Sequence, residues 1–379
     1  MNLRFRTVGI ALAIATVIGL GGTSTPARGD DREPGAVYTL SNEAGGNQLV
    51  VFHRDRRGNL ALAGTLATGG MGLGAGLGSQ GSLSLGTNPR VLYAVNAGSN
   101  SISVFRIRGR NPDLIQITDS AGLQPIGLTS RWNALYVPNN GSAAGDADQI
   151  TGFAIHPGPG RLSLLRGSTR GLSAPSVGPA QVRFSNDGRL LVVTEKGTNL
   201  IDTFLVDRFG RAGGANVQPS AGMTPYGFSF NRAGYLIVSE AVGGAPTAST
   251  VSSYGVNTRT GAIQVISPAV PTLQTAACWI AVTGDGRYAY SSNTGSGNVT
   301  GFRVDRNGML TRLSADGVTG VTGGEAIDSA IVGDRFLYVL SQGQNGGTVT
   351  GFEIQDDGWL QLIGAVGGLP ASTVGLAAE

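Results

Sequence analysis

One large aromatic residue recurs about every 50 positions along this chain of 379 residues. Each copy lies within a short run of alternating apolar residues. The seven copies are Phe52, Phe105, Phe153, Phe204, Tyr254, Phe302 and Phe352. A fixed period of this length indicates an array in which each unit is one supersecondary element. The sequence therefore predicts seven similar units rather than several unrelated domains.

Each unit contains four short runs that are typical of β-strands, separated by turn residues. Residues 190–194 read LLVVT, and Asn298–Val304 alternates between the two faces of a strand. Asp-Gly and Asn-Gly pairs such as those at Gly188 and Gly308 stand between the runs, where tight hairpins need residues that accept positive φ. The pattern predicts an all-β fold, a seven-bladed β-propeller of four-stranded antiparallel blades.

The two ends of the chain predict how the ring closes. The first unit begins at residues 36–40 with a run that matches the second strand of the other units, so it lacks an innermost strand. Residues 372–377 form a short apolar run without a partner of its own. We expect this C-terminal run to become the innermost strand of the first blade, because the pairing removes two free strand edges.

Composition supports this fold and narrows the class of protein. Gly contributes 62 residues, and only 13% of the residues are charged, which fits many tight turns between short strands. Hydrophobic residues make up 41% of the chain, enough to form a core. The formal net charge is +3, and no cluster of Lys and Arg is interleaved with aromatic residues, so we expect no nucleic-acid partner. Cys278 is the single cysteine, which excludes an intramolecular disulfide.

Residues 1–27 have the pattern of a secretory signal peptide. Arg4 and Arg6 precede an apolar run at residues 8–20, and small residues lead to Ala27. This run is too short to span a bilayer and no later segment is suitable, so we expect no transmembrane segment. We predict that the protein is secreted or periplasmic. Residues 28–379 are predicted to form a single propeller domain, and the protein is expected to be a monomer.

Residues 93–96 and 136–139 read YAVN and YVPN, and they resemble the Tyr-Val-Thr-Asn (YVTN) repeat. Together with the Asp-Gly-Arg turns, they resemble the seven-bladed lactonase propellers. That family includes bacterial 6-phosphogluconolactonase and fungal 3-carboxy-cis,cis-muconate lactonising enzyme. The resemblance covers residues 28–379, and residues 192–204 and 274–293 are especially similar to exported, carboxymuconate-cyclase-like bacterial members. It implies a hydrolase or lactonising enzyme that acts on a small molecule.

Two carboxylates stand at repeat positions where the other blades carry Asn or Ser. The residues that end the second strands are Ser41, Asn96, Asn139, Glu195, Glu240, Asn293 and Ser341. Two carboxylates near one channel mouth raise each other's pKa and supply a general acid or base. Lactonising members of the family place a Glu at the position of Glu195, so the resemblance implies a catalytic role there, with Glu240 and Arg183 as further candidates. Alternatively, each Glu accepts backbone N–H bonds or pairs with Lys196 or Arg183.

Further polar and aromatic residues are candidates for binding a small lactone or a sugar acid. Asp328 lies in an innermost strand where an apolar residue is usual, so its carboxylate must be solvated in the channel or paired. Arg183 is suited to steadying a carboxylate, although strand alternation also allows it to face a neighbouring blade. Trp279 is either blade packing or an aromatic floor for a ring-shaped ligand. The candidate substrate-binding residues are Gln181, Tyr226, Trp279, Asn293, Asp328 and Asn139.

The sequence departs from the family at Ala180, where the family commonly has a His that is thought to transfer a proton. His53 and His156 are predicted to lie in the outer halves of their blades, so neither replaces it. Two functions therefore remain open. One is a lactonase-like enzyme acting on a small anionic lactone or its open acid. The other is a non-enzymatic exported propeller that binds a ligand or a protein partner.

No metal site and no cofactor are predicted. Glu195, Glu240, Asn139 and Asn293 are oxygen ligands, but they are expected to lie too far apart for one Ca²⁺. Asp146 and Asp148 form a D-x-D pair in a long loop, which is either a Ca²⁺ site or, as we expect, a solvated polar loop. The Gly-rich connector at residues 69–80 lacks the strand and helix of a nucleotide loop. Cys278 lies in an apolar stretch and is expected to be an inert buried thiol.

Overall fold

The computed structural model describes residues 35–343 and 346–379, which contain thirty β-strands in seven antiparallel sheets. The predicted all-β propeller of seven four-stranded blades is confirmed. In blades three and six the outermost strand is divided into two short pieces. Three short 3₁₀ helices, Ala97–Ser99, Gly141–Ala144 and Val242–Gly244, follow second strands. None of the described helices has the length and hydrophobicity needed to cross a membrane.

Blades one to three each run from an innermost strand beside the channel to an outermost strand, in the order that follows. Blade one consists of Val374–Ala378, Gly35–Leu40, Gln48–Arg54 and Leu60–Ala67. Blade two consists of Leu83–Leu85, Val91–Asn96, Ser101–Arg108 and Asn111–Asp119. Blade three consists of Thr129–Arg131, Ala134–Asn139, Gln149–Ile155, Leu162–Leu164 and Arg170–Gly171.

Blades four to seven follow the same order. Blade four consists of Pro179–Phe184, Leu190–Glu195, Leu200–Val206 and Ala212–Pro219. Blade five consists of Pro225–Phe230, Leu236–Glu240, Thr250–Val256 and Ile263–Pro271. Blade six consists of Ala277–Val282, Tyr288–Asn293, Asn298–Val304, Leu310–Arg312 and Gly320–Val321. Blade seven consists of Glu325–Val332, Phe336–Gln342, Gly347–Ile354 and Leu360–Leu369.

The C-terminal strand closes the ring, as the sequence predicts. Val374–Ala378 pairs antiparallel with Gly35–Leu40, and Thr39 lies opposite Leu376. The pairing shifts at Gly375, which has a φ of 71°. A Cβ at this position would lie 2.3 Å from Ser82 Oγ, so the close approach of blades one and two requires glycine there.

The hydrophobic core lies between the blades, because each second strand is buried on both faces. In blade four, Leu191 and Val193 pack with Phe204 and with residues of blade three. Leu190 and Val192 of the same strand face the other way and pack against blade five. All seven recurring aromatic residues are at most 2% exposed. This packing explains why the second strands are continuously apolar rather than alternating.

Tyrosines of the second strands bond one blade to the next. Four of these hydroxyls each donate to a glycine carbonyl in the turn between the third and fourth strands of the following blade, at 2.8–3.1 Å. The pairs are Tyr93–Gly160, Tyr136–Gly210, Tyr290–Gly358 and Tyr338–Gly58. The tyrosine of the Tyr-Val-Thr-Asn-like repeat therefore has a structural role, since a buried hydroxyl needs a partner.

Candidate functional site

The innermost strands surround a central cavity of about 380 Å³. The cavity extends from Gln80 and Gly81, near the start of the innermost strands, to Ser185 and Asn186 in a turn that follows one of them. Three of the nine site residues predicted from the sequence line it: Gln181, Arg183 and Asp328. The other six do not line it: Asn139, Glu195, Tyr226, Glu240, Trp279 and Asn293.

A repeated β-bulge sets the level of the polar side chains in the channel wall. In blades four, six and seven the pairing of the innermost strand with the second strand shifts near its beginning. After the shift, Gln181, Trp279 and Asp328 occupy equivalent positions. Arg183 lies two residues farther along its strand, roughly 7 Å at the rise of a β-strand. Bulges are common beside functional sites because they redirect side chains.

Asp328 is only 2% exposed, and backbone amides from three segments hold its carboxylate. Oδ1 accepts a hydrogen bond from Ser329 N at 2.7 Å, and Oδ2 accepts one from Leu376 N at 3.1 Å. Gly81 N also donates to this carboxylate. Desolvation outweighs these bonds and raises the pKa of Asp328 to about 7. A carboxyl group that titrates near neutrality is suited to general acid–base chemistry.

Gln181 and Arg183 are the polar residues of the blade-four innermost strand that line the cavity. Gln181 Oε1 accepts a hydrogen bond from Phe228 N at 2.6 Å, which ties blade four to blade five. Arg183 is exposed to the cavity, so its side chain does not pack into a neighbouring blade. The surrounding protein lowers the pKa of the Arg183 guanidinium by desolvation, but this group stays protonated in proteins. The Ser329 hydroxyl is buried in the wall of blade seven, without a hydrogen-bond partner among the described residues.

Trp279 and Tyr226 pack beneath the Gly-rich connector, so the interpretation of Trp279 as an open aromatic floor is wrong. Their ring centroids are 5.2 Å apart, and Trp279 Nε1 donates to Ser79 O at 3.1 Å. Trp279 is 5% exposed. A buried indole N–H needs an acceptor, and the connector supplies it.

Glu195 is fully buried inside its own blade and does not face a channel mouth. Its Oε1 accepts a bond from Ser173 N at 2.9 Å, and its Oε2 accepts bonds from the hydroxyls of Ser173 and Thr198. Asp202, also fully buried, contacts Glu195. Neither oxygen of Asp202 has a hydrogen-bond partner of good geometry among the described residues. Desolvation and the contact with Glu195 raise the pKa of Asp202 to about 8, so Asp202 keeps its proton at neutral pH.

Glu240 has a comparable environment in blade five. It is fully buried, and its Oε1 accepts a hydrogen bond from Gly222 N at 2.9 Å. The Thr250 hydroxyl donates to Oε2. Desolvation raises the pKa of Glu240, although its hydrogen bonds oppose this shift. The expected pairing of Glu195 with Glu240 across a channel mouth is not formed, since each carboxylate is held by groups of its own blade and of the adjoining connection.

Asn139 and Asn293 occupy the same repeat position and also point into their blades. Asn293 Nδ2 donates to Asn298 Oδ1 at 2.8 Å and to Thr300 Oγ1 at 2.9 Å. Asn139 Nδ2 donates to Thr151 Oγ1 at 3.4 Å. These bonds join the second and third strands, and both Asn side chains are fully buried. Their substrate-binding role has no support in this geometry.

The long loop of blade three is less solvated than we expect from its sequence. Asp148 is 1% exposed, and its carboxylate accepts bonds from the backbone amides of Ser142, Val177 and Gly178 at 2.8–2.9 Å. Asp146 is exposed and bonds to the amide of Ala147. Among the described residues, no group of three or more His, Cys, Asp or Glu side chains is placed to hold a metal ion.

The histidines and the cysteine lie away from the cavity. His156 is exposed and its Nε2 contacts Ser163 Oγ at 2.9 Å, while His53 is partly buried on the third strand of blade one. Cys278 is 7% exposed, and burial raises the pKa of its thiol to about 11. A thiol with this pKa is protonated at neutral pH and is a weak nucleophile.

Sequence reasoning missed Gln80 and Ser329 in the cavity wall and Asp202 beside Glu195. A signal for Asp202 existed in the repeat. The equivalent third-strand residues in four other blades are Ser103, Thr151, Ser252 and Thr300. An acidic residue at this position, in the same blade as an acidic residue at the second-strand end, indicates a carboxyl pair. No repeat signal marks Gln80, because it lies in a connector that the other blades lack.

Comparison with known proteins adds a family match. The model of the seven-bladed β-propeller lactonases matches residues 168–278. The expected resemblance to the lactonase propellers is confirmed. The matched stretch contains Gln181 and Arg183 but not Asp328. No curated protein matches the chain.

Solved structures with the same fold cover almost the whole ring. A protein from Lactobacillus plantarum is 18% identical, with a TM-score of 0.71 over 91% of this chain and 99% of its own. A Bacteroides fragilis protein, described provisionally as a 6-phosphogluconolactonase, is 19% identical, with a TM-score of 0.67 over 91% and 98%. The Pseudomonas aeruginosa periplasmic gluconolactonase is 20% identical, with a TM-score of 0.59 over 73% and 82%. At these identities the comparisons establish the fold, and function depends on the site.

Proposed function

We propose that this lactonase-type propeller hydrolyses a small anionic lactone in its central channel, between Asp328 and Arg183. The observation that carries the proposal is Asp328, a buried carboxyl with a pKa near 7 in the wall of a cavity that also contains an exposed guanidinium. Perturbed carboxyl groups in such cavities are candidates for general acids and bases. The match to the lactonase family supports a lactone as substrate.

The chemistry requires one water molecule and one proton acceptor. The ionised Asp328 carboxylate removes a proton from water as the water oxygen bonds to the lactone carbonyl carbon. Collapse of the tetrahedral intermediate breaks the bond to the ring oxygen, which takes the proton back from Asp328 and becomes a hydroxyl. The amide N–H groups of Gln181 and the Ser329 hydroxyl are donors for the developing oxyanion. Arg183 binds the carboxylate of the substrate through charge-assisted hydrogen bonds.

Glu195 is the competing candidate for the base, because the family resemblance implies that role. Its carboxylate is fully buried and, unlike that of Asp328, does not line the central cavity, so a substrate reaches it only if blade four opens. Glu240 is buried in the same way. The geometry therefore supports Asp328 over Glu195 and Glu240.

The test is proton release by the purified protein on a panel of neutral and carboxylated lactones, with Asp328→Asn and Glu195→Gln measured in parallel. We expect turnover of a carboxylated lactone to fall at least 100-fold in Asp328→Asn, because general-base catalysis contributes about 10²–10⁴-fold. Glu195→Gln should keep most of the activity. The opposite ranking would return the base to Glu195 and overturn the assignment of Asp328.

A binding propeller without catalysis is the second candidate, and Ala180 is the observation that favours it. The family's imidazole is replaced there by a methyl group, and both histidines of the chain lie away from the cavity. In that case no lactone is hydrolysed, while the open hydroxy acid still binds and raises the melting temperature. Absence of both turnover and binding would overturn both candidates.

We also propose that the protein is exported and that residues 1–27 are removed. The support is the sequence pattern of two arginines, an apolar run and small residues before Ala27. Intact-mass analysis of the secreted or periplasmic protein should give a chain that begins at Arg28. A cytoplasmic protein that retains Met1 would contradict export.

A further inference from the structure

The Gly-rich connector at residues 69–80 crosses one end of the central channel. It leaves the outermost strand of blade one and is hydrogen-bonded to residues of, or directly before, the innermost strands of blades three, four and six before it enters blade two. Ser79 Oγ donates to Ile126 O at 2.7 Å beside blade three, and Gln80 N donates to Ala180 O at 3.0 Å in blade four. Trp279 Nε1 of blade six donates to Ser79 O. The connector is therefore bound to the channel wall on several sides.

The side chain of Gln80 spans the channel to blade six. Its Nε2 donates to Ile280 O at 3.0 Å, and its Oε1 accepts a bond from Ile280 N at 3.2 Å. The amide group thus pairs with the free edge of an innermost strand as a neighbouring strand would. Gly227 makes room for it, because a Cβ there would lie 2.1 Å from Gln80 Oε1.

Lys196 adds a contact at the rim of the same end. Its Nζ donates to Gly78 O at 2.5 Å and lies 5.0 Å from the centre of the Tyr226 ring. Leu77, Ser79 and Gln80 are each 6% exposed. The last residues of the connector are therefore packed into the molecule rather than arranged as a solvated loop.

The polar groups of the cavity lie at different distances from the channel end that the connector covers. Gly81, which directly follows the connector, donates its N–H to Asp328. Arg183 lies two strand residues farther from the connector, and Asn186 lies in the turn beyond it. Asp328 is therefore at the bottom of the cavity, and Arg183 is between Asp328 and the end formed by the turns.

We infer that the channel is a blind site, which ligand enters and leaves past Arg131, Asn186 and Ala378, with Gln80 as its floor. This inference rests on the proposed function for the identity of the ligand, but not for the route. A blind site holds a single-ring molecule or the terminal unit of a chain, and it excludes the interior of a polymer. The carboxylate of such a ligand stays near Arg183, on the side of the entrance, while its ring faces Asp328.

A thiol-labelling experiment tests the route without any lactone. Cys278→Ser removes the single cysteine, and Ala330→Cys places a reporter in the cavity wall at the level of Arg183. Asn186→Trp then obstructs the entrance. Gly76→Trp is the matched control on the connector, where a Cβ meets nothing within 4 Å. The probe is a small charged methanethiosulfonate, and the measured quantity is the rate of labelling of the folded protein.

We expect Asn186→Trp to slow labelling at least fivefold and Gly76→Trp to leave the rate unchanged. Addition of Gln80→Ala to Asn186→Trp should restore part of the rate, because it opens the floor. Slower labelling in Gly76→Trp than in Asn186→Trp, or equal rates in both, would overturn the inference. A protein that follows the expected labelling pattern but turns over no lactone would contradict the proposed function and leave the route intact.

Discussion

Because of Asp328, an increase in pH should raise the activity of the protein and lower its stability. Its pKa in the folded protein, about 7, lies above the usual value because desolvation dominates. A general base must be ionised, so kcat/KM for a carboxylated lactone should rise as the pH increases through about 7. The folded state binds the proton more tightly than the unfolded state, so this group's contribution to stability falls as the pH rises from about 4 to 7.

A pH–rate profile, corrected for spontaneous hydrolysis, checks the first effect. Unfolding in denaturant at pH 5 and pH 8 checks the second. A flat rate profile between pH 5 and pH 8 would be incompatible with Asp328 as the base.

A separate prediction concerns Asp202, the buried carboxyl group that contacts Glu195 in blade four. The pKa of Asp202 is raised to about 8, so this group's contribution to stability falls as the pH rises from about 4 to 8. Asp202→Ser introduces serine, the residue that blades two and five carry at the equivalent position. It should increase the free energy of unfolding at pH 8.5 by about 1 kcal/mol or more, at 1.36 kcal/mol for each pKa unit.

The matched control is Asp113→Ser, which removes an exposed carboxylate 3.4 Å from the exposed Arg108. Exposed pairs contribute little, so its unfolding free energy should change by less than about 0.5 kcal/mol. Destabilisation of Asp202→Ser at pH 8.5 would show that the ionised Asp202 is favourable in the folded protein and would contradict its raised pKa.

At the scale of elements, the C-terminal strand should stabilise the whole ring. Val374, Leu376 and Ala377 are buried at 5–6% exposure, and the strand completes blade one beside blades two and seven. Burial of each Val or Leu side chain contributes about 1.5–3 kcal/mol. Deletion of residues 371–379 should therefore lower the temperature of the entire unfolding transition, not remove a local tail. Unchanged melting of the truncated protein would contradict closure by this strand.

The sequence predicts most of the strands because every blade is built from the same pattern of strands and turns. The 50-residue period, the Asp-Gly turns and the unpartnered C-terminal run lead to seven blades and to their closure. Gln181, Arg183 and Asp328 also follow from the sequence, since polar residues in innermost strands are unusual. The buried state of Glu195 does not follow, because it depends on Ser173, which belongs to the connection between blades three and four and donates to this carboxylate. The covered channel end depends on Gln80 and Ile280, which are 200 residues apart.

At the scale of the whole molecule, the ring arranges the innermost strands of the blades around one cavity, which is lined by Arg183 and Asp328. The innermost strands have free edges that would bind a further strand or water. Gln80, Gln181 and Asp328 satisfy parts of these edges with their side chains. The connector covers one end of the channel, and Arg183 stays exposed to the cavity. The fold thus places a cation and a carboxyl with a raised pKa in one enclosed space.

The most direct measurement compares Arg183→Gln with the wild-type protein on two lactones that share one ring, one carboxylated and one neutral. A charge-assisted bond contributes about 1.5–3 kcal/mol, so kcat/KM for the carboxylated lactone should fall about 10- to 100-fold. The value for the neutral lactone should change less than threefold. Equal losses on both substrates, or no loss on either, would contradict a channel site that binds its substrate through Arg183.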